Sequence, residues 1–366
     1  MTSKNAIALA LSSLFVASAA NAVTIYEDDN GDFVKLYGEV GVGGHIGSDY
    51  EYGEFYAEQN FIDDSFATMG VKGKTDKMHY RLELDYEREN WKYGSGDMVL
   101  AIDKVFIGYE LYDGESVSHY VEAGLTDTAF DDYDKWGDFT FDTTVETGEA
   151  GDQDMTVKYE GRYFDAIKVG VSYTNRAESA SGAELNDLVN GYIGYFGDRF
   201  SAVIGAEGRG GSDGESKYGE QSLIGAGARF AVTDEFRIGV NAFMEEEDIG
   251  TCIQEIPNPD TNVPECVSYS EYETQKNKGY LASLSYQFAE QWEFTASYNF
   301  EEYEEWAIDN ENNRATEGVN KYSWGDTRIW TTFGINYRPT RSSIIAFEAN
   351  SGEAAQNAYA YARVYF

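Results

Sequence analysis

This 366-residue sequence predicts an all-β chain: a transmembrane antiparallel β-barrel of 16 strands, with a long third loop folded into the lumen. Three observations carry the expectation. Short segments alternate apolar and polar residues with period two, as where Tyr80, Leu82, Leu84 and Tyr86 interleave with Arg81, Glu83, Asp85 and Glu87. Tight turns and longer polar loops separate these segments in regular succession. Composition agrees, because 29 Tyr, 21 Phe and 38 Gly against 4 Pro suit many strands with aromatic belts at the two interfaces.

The first 22 residues, MTSKNAIALALSSLFVASAANA, read as an export signal: one lysine, an apolar run from Ala6 to Ala20, and the small-x-small end Ala20-Asn21-Ala22. Residues 23–366 then form a single barrel domain. No later stretch has the roughly 18 consecutive apolar residues of a membrane helix. Strands that alternate lipid-facing and lumen-facing residues cross a membrane without such a run. The formal charge of -38 argues against nucleic acid, which this chain would repel.

The first strand begins at Val34, with Leu36, Gly38, Val40 and Val42 on one face. A loop from His45 to about Asp64 leads to a second strand near Phe66–Lys74, and a short turn at Thr75–Met78 to the third. On that third strand Arg81, Glu83, Asp85 and Glu87 share a face. So many charges need water beside them, and a filled core cannot supply it. A fourth strand near Met98–Tyr112 turns at Asp113-Gly114-Glu115 into a fifth. Further short turns fall near Gly161–Phe164, Gly197–Arg199, Thr233–Glu235, Ala289–Gln291 and Pro339–Ser342. Longer loops fall near Asn175–Asn186, Gly210–Tyr218, Glu246–Gln275, Glu301–Gly325 and Ser351–Gln356. The final alternating strand ends in Phe366 and pairs with the first, which removes both sheet edges.

After the fifth strand, the stretch from Thr126 to Gly151 is crowded with carboxylates and with Phe130, Tyr133, Trp136, Phe139 and Phe141. A loop this long inside a domain is usually functional or disordered, and its aromatics need a surface to pack on. It is expected to enter the lumen, with Asp131, Asp132, Asp134 and Asp138 setting the charge of a constriction.

The start VTIYEDDNGDFVKLYGEVGVG, the segments ATMGVKGKT and VFIGYEL, Gly124, Trp136-Gly137-Asp138 and the terminal Phe366 together resemble the general trimeric porins of Gram-negative bacterial outer membranes. The likeness is clear over about residues 23–160 and at the C-terminus. It implies a homotrimer whose third loop opposes an acidic face to a basic barrel wall. Of the wall positions, Lys72 keeps its charge, while Glu39, Thr68, Asp103 and Asp152 stand where that family carries lysine and arginine. A shift of one residue in the fourth strand would place Lys104 inside instead of Asp103. Arg81, Lys168, Arg229, Arg237 and Arg328 are further inward candidates.

The resulting expectation is a water-filled passive channel in the outer membrane for small hydrophilic solutes, with a preference for cations. A substrate-selective oligosaccharide channel, or a surface structural or adhesion protein, are the alternatives. Lipid and lipopolysaccharide are the expected surroundings, with divalent cations bridging acidic loops to phosphates. No enzyme is expected: no carboxylate pair stands out for glycoside hydrolysis, and His45, His79 and His119 have no Ser/His partner set, the last two sitting beside turns. No cofactor and no metal site are expected. Cys252 and Cys266 most simply form a disulfide in an exported protein.

Overall fold

A computed structural model describes residues 22–141, apart from 50–60 and 91–94, together with 147, 150–177, 186–211, 218–257, 264–304, 327–352 and 356–366. The expected export signal lies almost wholly outside these residues, and so does the Arg328 side chain. Among the described residues, eighteen strand segments form one continuous antiparallel sheet. They are β1 (Val23–Glu27), β2 (Phe33–Asp49), β3 (Phe61–Asp63), β4 (Phe66–Thr75), β5 (Met78–Asn90), β6 (Ser95–Asp113), β7 (Val117–Asp127), β8 (Asp152–Tyr163) and β9 (Ile167–Thr174). The second half comprises β10 (Leu188–Phe196), β11 (Phe200–Arg209), β12 (Tyr218–Ala231), β13 (Phe236–Pro257), β14 (Pro264–Ala289), β15 (Trp292–Glu304), β16 (Thr327–Thr340), β17 (Ser343–Gly352) and β18 (Gln356–Tyr365).

Two short segments reduce this to a closed 16-stranded barrel. β1 pairs with the start of β2, over Phe33–Leu36, on the same side that β18 occupies from Glu39 onward. β3 likewise continues the line of β4. The seam is clamped where Gly38 and Phe366 exchange both backbone hydrogen bonds at 2.9 Å. Antiparallel closure leaves no unpaired edge in the hydrocarbon layer, the condition for a sheet to cross it.

Alternation sorts the side chains as the sequence implied. On β5, Leu82 and Tyr86 are exposed outward while Glu83 is buried inward at 5% exposure. On β15, Thr295, Ser297 and Asn299 line the interior. At the short-turn rim an outer belt carries Phe164, Tyr195, Phe200, Phe230, Phe288 and Trp292. His119 joins it through stacking on Tyr159, whereas His79 turns inward to lie 3.6 Å from Glu122.

The structure corrects two loops. β2 runs on to Asp49, so strand occupies the first part of the expected His45–Asp64 loop. The expected Glu246–Gln275 loop is largely a continued hairpin, with β13 spanning 22 residues and β14 spanning 26. About 9–11 residues suffice to cross a membrane, so the hairpin projects well beyond the bilayer. Cross-strand pairing is the reason: Glu246 faces Lys276, 3.2 Å apart, and Thr274 donates to Asp248 at 2.7 Å. An acidic run that looks like a solvated loop is held as strand by its partner. Cys252 and Cys266 are joined across this hairpin, with Cα atoms 5.8 Å apart.

Replacing both cysteines by serine should release on the order of 3 kcal/mol of local constraint. Limited proteolysis should then cut within the hairpin faster, while the heat-resistant migration of the barrel on gels stays unchanged.

Candidate functional site: the inward loop and the pore wall

A barrel of this size is too wide for side chains to fill, and water occupies what remains. The chain leaving β7 turns into this space through a 3-10 turn at Asp131–Tyr133. Irregular backbone inside a membrane barrel needs partners for its amides and carbonyls, and the inner wall supplies them. Ser172 and Asn190 accept from the amides of Ala129 and Phe130 at 3.0 and 2.5 Å. Asn241 donates to the carbonyls of Asp134 and Trp136, and Ser283 to that of Gly137 at 2.5 Å. Farther along, the Phe141 amide donates to Glu348 on β17 at 2.5 Å, so the loop follows the wall from β9 to β17.

Packing completes the seat. Phe130 is fully buried in a cluster with Ala129, Tyr133, Tyr192, Val203 and Leu223. Four wall glycines make room: an added Cβ would fall 2.0 Å from the Phe130 ring at Gly205 and 2.9 Å from it at Gly225. It would fall 1.5 Å from the Trp136 carbonyl oxygen at Gly227 and 2.0 Å from that of Gly137 at Gly239. Arg229 lays its guanidinium 3.9 Å from the Trp136 ring centre and donates to the Asp138 carbonyl at 3.0 Å. The sequence reading did not find this seat. Inward glycines on three successive strands were its only trace, and their meaning depends on which strands neighbour the loop.

The four loop aspartates have different surroundings. Asp132 is exposed to the lumen. The desolvating wall around it and the Asp127 carboxylate hold its carboxyl above the ordinary carboxylate range, against the nearby lysines. Asp131 lies at the loop root, where its carboxylate, Asp127 and Asp152 bring oxygens within 4.8 Å of one another. Asp134 is buried, accepting from the Lys135 amide at 2.6 Å and Thr147 Oγ1 at 3.0 Å. Asp138 accepts from the Thr140 amide and hydroxyl at 2.8 and 2.7 Å. Asp134 and Asp138 thus spend their carboxylates largely on the loop's own fold.

On the wall, a β-bulge in β6 pairs Glu83 with Lys104 and Leu84 with Ile102, which leaves Asp103 as the extra residue. Such a residue interrupts alternation. The bulge accommodates Lys104 in the wall with Asp103 beside it. Lys104 is taken up by carboxylates: its ammonium contacts Asp127 and lies 2.8 Å from Asp152. Asp152 therefore belongs to the loop root rather than to the wall opposite the loop tip. Other inward cations are paired too: Arg81 with Glu83 at 2.7 Å, Lys158 with Glu122 at 2.8 Å, Arg237 with Glu293 at 2.6 Å, and Arg363 with Glu39 at 3.4 Å. Thr68 sits in register between Glu39 and Asp85, adding no charge. Lys72 and Lys168 lie instead over aromatic rings, of Tyr37 at 5.0 Å and Phe196 at 5.0 Å.

Gly227→Ala should drive the loop off its seat, cost about 1–3 kcal/mol as an overpacked contact, and lower the single-channel conductance. Gly208→Ala, where an added Cβ meets nothing within 4 Å, should leave conductance unchanged.

Comparison with known proteins places this architecture. Solved structures with the same fold include the outer membrane channel DcaP of Acinetobacter baumannii, with TM-score 0.62 and 13% identity over 94% of this chain and 100% of that one. The trimer form of OmpT from Vibrio cholerae follows at 0.59 and 14%, covering 92% and 99%. An anion-selective porin from Comamonas acidovorans gives 0.58 and 11%, covering 92% and 100%. No match is found among curated proteins. The family model of the Gram-negative porins matches residues 6–343, nearly the whole chain. With a closed barrel, a water-wide lumen and a loop seated inside it, this chain belongs to the Gram-negative porin family, and it is an outer-membrane channel rather than an enzyme.

Proposed function

We propose that this porin is a passive diffusion channel for small hydrophilic solutes that prefers cations, and that it works as a homotrimer. The observation that carries the preference is that five inward cations are spent on carboxylates, whereas Lys35, Lys72 and Lys168 rest over aromatic rings. Arg81, Lys104, Lys158, Arg237 and Arg363 are each matched by at least one carboxylate. Lys104 has three within ion-pair distance, Asp103, Asp127 and Asp152, yet the chain holds 65 acidic residues against 27 basic ones. The remaining carboxylates, Asp132 on the loop and Asp85 and Glu87 on the wall among them, then set the sign of the field in the lumen. An anion-selective relative with the same fold illustrates that the barrel alone does not fix that sign.

Magnitudes favour a measurable effect. Two unit charges about 4 Å apart interact by roughly 4 kcal/mol at an effective dielectric near 20. A net bias of only about 1.4 kcal/mol is tenfold in occupancy. The trimer reading rests on the smooth outward faces at the barrel seam: Val40 and Val42 on β2, and Ala358, Ala360, Ala362 and Val364 on β18. Small residues let neighbouring backbones approach where protein replaces lipid. That a solved relative forms a trimer supports it.

In planar bilayers across a KCl gradient, the zero-current potential should show potassium favoured over chloride at 0.1 M. The preference should shrink at 1 M, where the Debye length is only about 3 Å. Asp131→Asn with Asp132→Asn should move that potential toward the neutral value. Lowering the pH should do the same, since the raised Asp132 carboxyl neutralises before ordinary ones. Equal passage of both ions by the unmodified channel contradicts the reading. Mass measurement after mild-detergent extraction should give three chains, and a monodisperse single chain contradicts the trimer.

A further inference from the structure

The wall formed by β2, β4 and β5 carries one feature that a cation-preferring pore does not need. Lys35 pairs in register with Lys72, and Lys72 with Arg81, so three cations stand side by side across three adjacent strands. Like charges directly opposite one another destabilise a sheet. Strands lie about 4.8 Å apart, so the row spans roughly 10 Å. Arg81 alone has a carboxylate partner, Glu83, and its guanidinium is further fixed by Nε donating to the Tyr37 hydroxyl at 2.5 Å. Lys35 and Lys72 have no carboxylate within ion-pair distance among the described residues. Their ammonium groups rest over the rings of Phe33 at 4.7 Å and Tyr37 at 5.0 Å.

All three side chains face the lumen, on the same face as the buried Tyr37, and are only partly covered. Lys72 and Arg81 each lie three residues from the Thr75–Met78 turn, near the short-turn mouth that faces the periplasm in this class of barrel. We propose that this row is a binding station for multivalent oxyanions, entered from the short-turn side. Two fixed point charges beside an oriented guanidinium match the oxygens of a phosphate chain. Chloride, with one charge, engages one member of the row at a time. A linear polyphosphate engages all three and relieves their mutual repulsion. The proposal rests on the protein being a channel and is independent of its ion preference.

The test is single-channel recording in divalent-free 0.1 M KCl with inorganic tripolyphosphate added to one compartment at a time. Tripolyphosphate on the short-turn side should interrupt the current, with a frequency that rises with concentration and falls at least tenfold in Lys35→Gln with Lys72→Gln. The KCl zero-current potential, recorded on the same channels, reports ion preference separately. Absence of interruptions from either side, or equal interruptions in wild type and double variant, overturns the proposal. Should the double variant fail to assemble, unmodified protein decides: interruptions must lengthen from orthophosphate through pyrophosphate to tripolyphosphate, and equal or absent effects of all three overturn it.

Discussion

The structure depends on one constraint: backbone that leaves the barrel sheet and enters the lumen must find hydrogen-bond partners on the inner wall. Several polar wall residues that partner the loop backbone are buried, including Ser172 at 0%, Asn190 at 1% and Asn241 at 3% exposure. Leaving a buried polar group unsatisfied costs about 1–3 kcal/mol, so these contacts and the loop conformation stand or fall together. The glycines at 227 and 239 follow from the same demand, because they let the loop backbone come within contact of the strand backbone, while those at 205 and 225 make room for the Phe130 ring. Strand sequences from β9 to β17 are thus partly dictated by a segment that lies between β7 and β8.

Electrostatics builds on that scaffold. The loop root is tied to the wall by Lys104, held between Asp127 and Asp152. Removing either partner of a buried pair leaves a charge without compensation, whereas the intact pair contributes modestly. Its role is therefore better described as fixing where the loop leaves the wall than as stabilising the barrel. Farther along, Phe139 lies against Arg229 and Arg237, with guanidinium carbons 5.2 and 4.9 Å from its ring centre. These two arginines are occupied in holding the loop.

Much of the fold was legible because alternation is local. Tyr80 to Glu87 shows both faces of β5 without any knowledge of its neighbours, and Gly197 or Pro339 marks a turn by its own chemistry. What escaped the sequence depends on the partner strand. The bulge at Asp103 is invisible along β6 and appears only against Glu83 and Leu84 of β5. The acidic run Glu245–Asp248 looks like loop until Lys276 and Thr274 stand opposite it. The candidate site behaved likewise. The burial of Asp134 goes with Thr147, thirteen residues on in the same loop, and with Asn241, which is far off in the chain on β13.

The central claim, that the loop seated on the inner wall sets the pore, is tested most directly by replacing residues 130–149 with a short Gly-Ser linker and measuring single-channel conductance beside the unmodified protein. Loss of the loop should raise conductance severalfold and weaken the discrimination between potassium and chloride. A folded, heat-resistant barrel with unchanged conductance and unchanged ion preference would contradict the account.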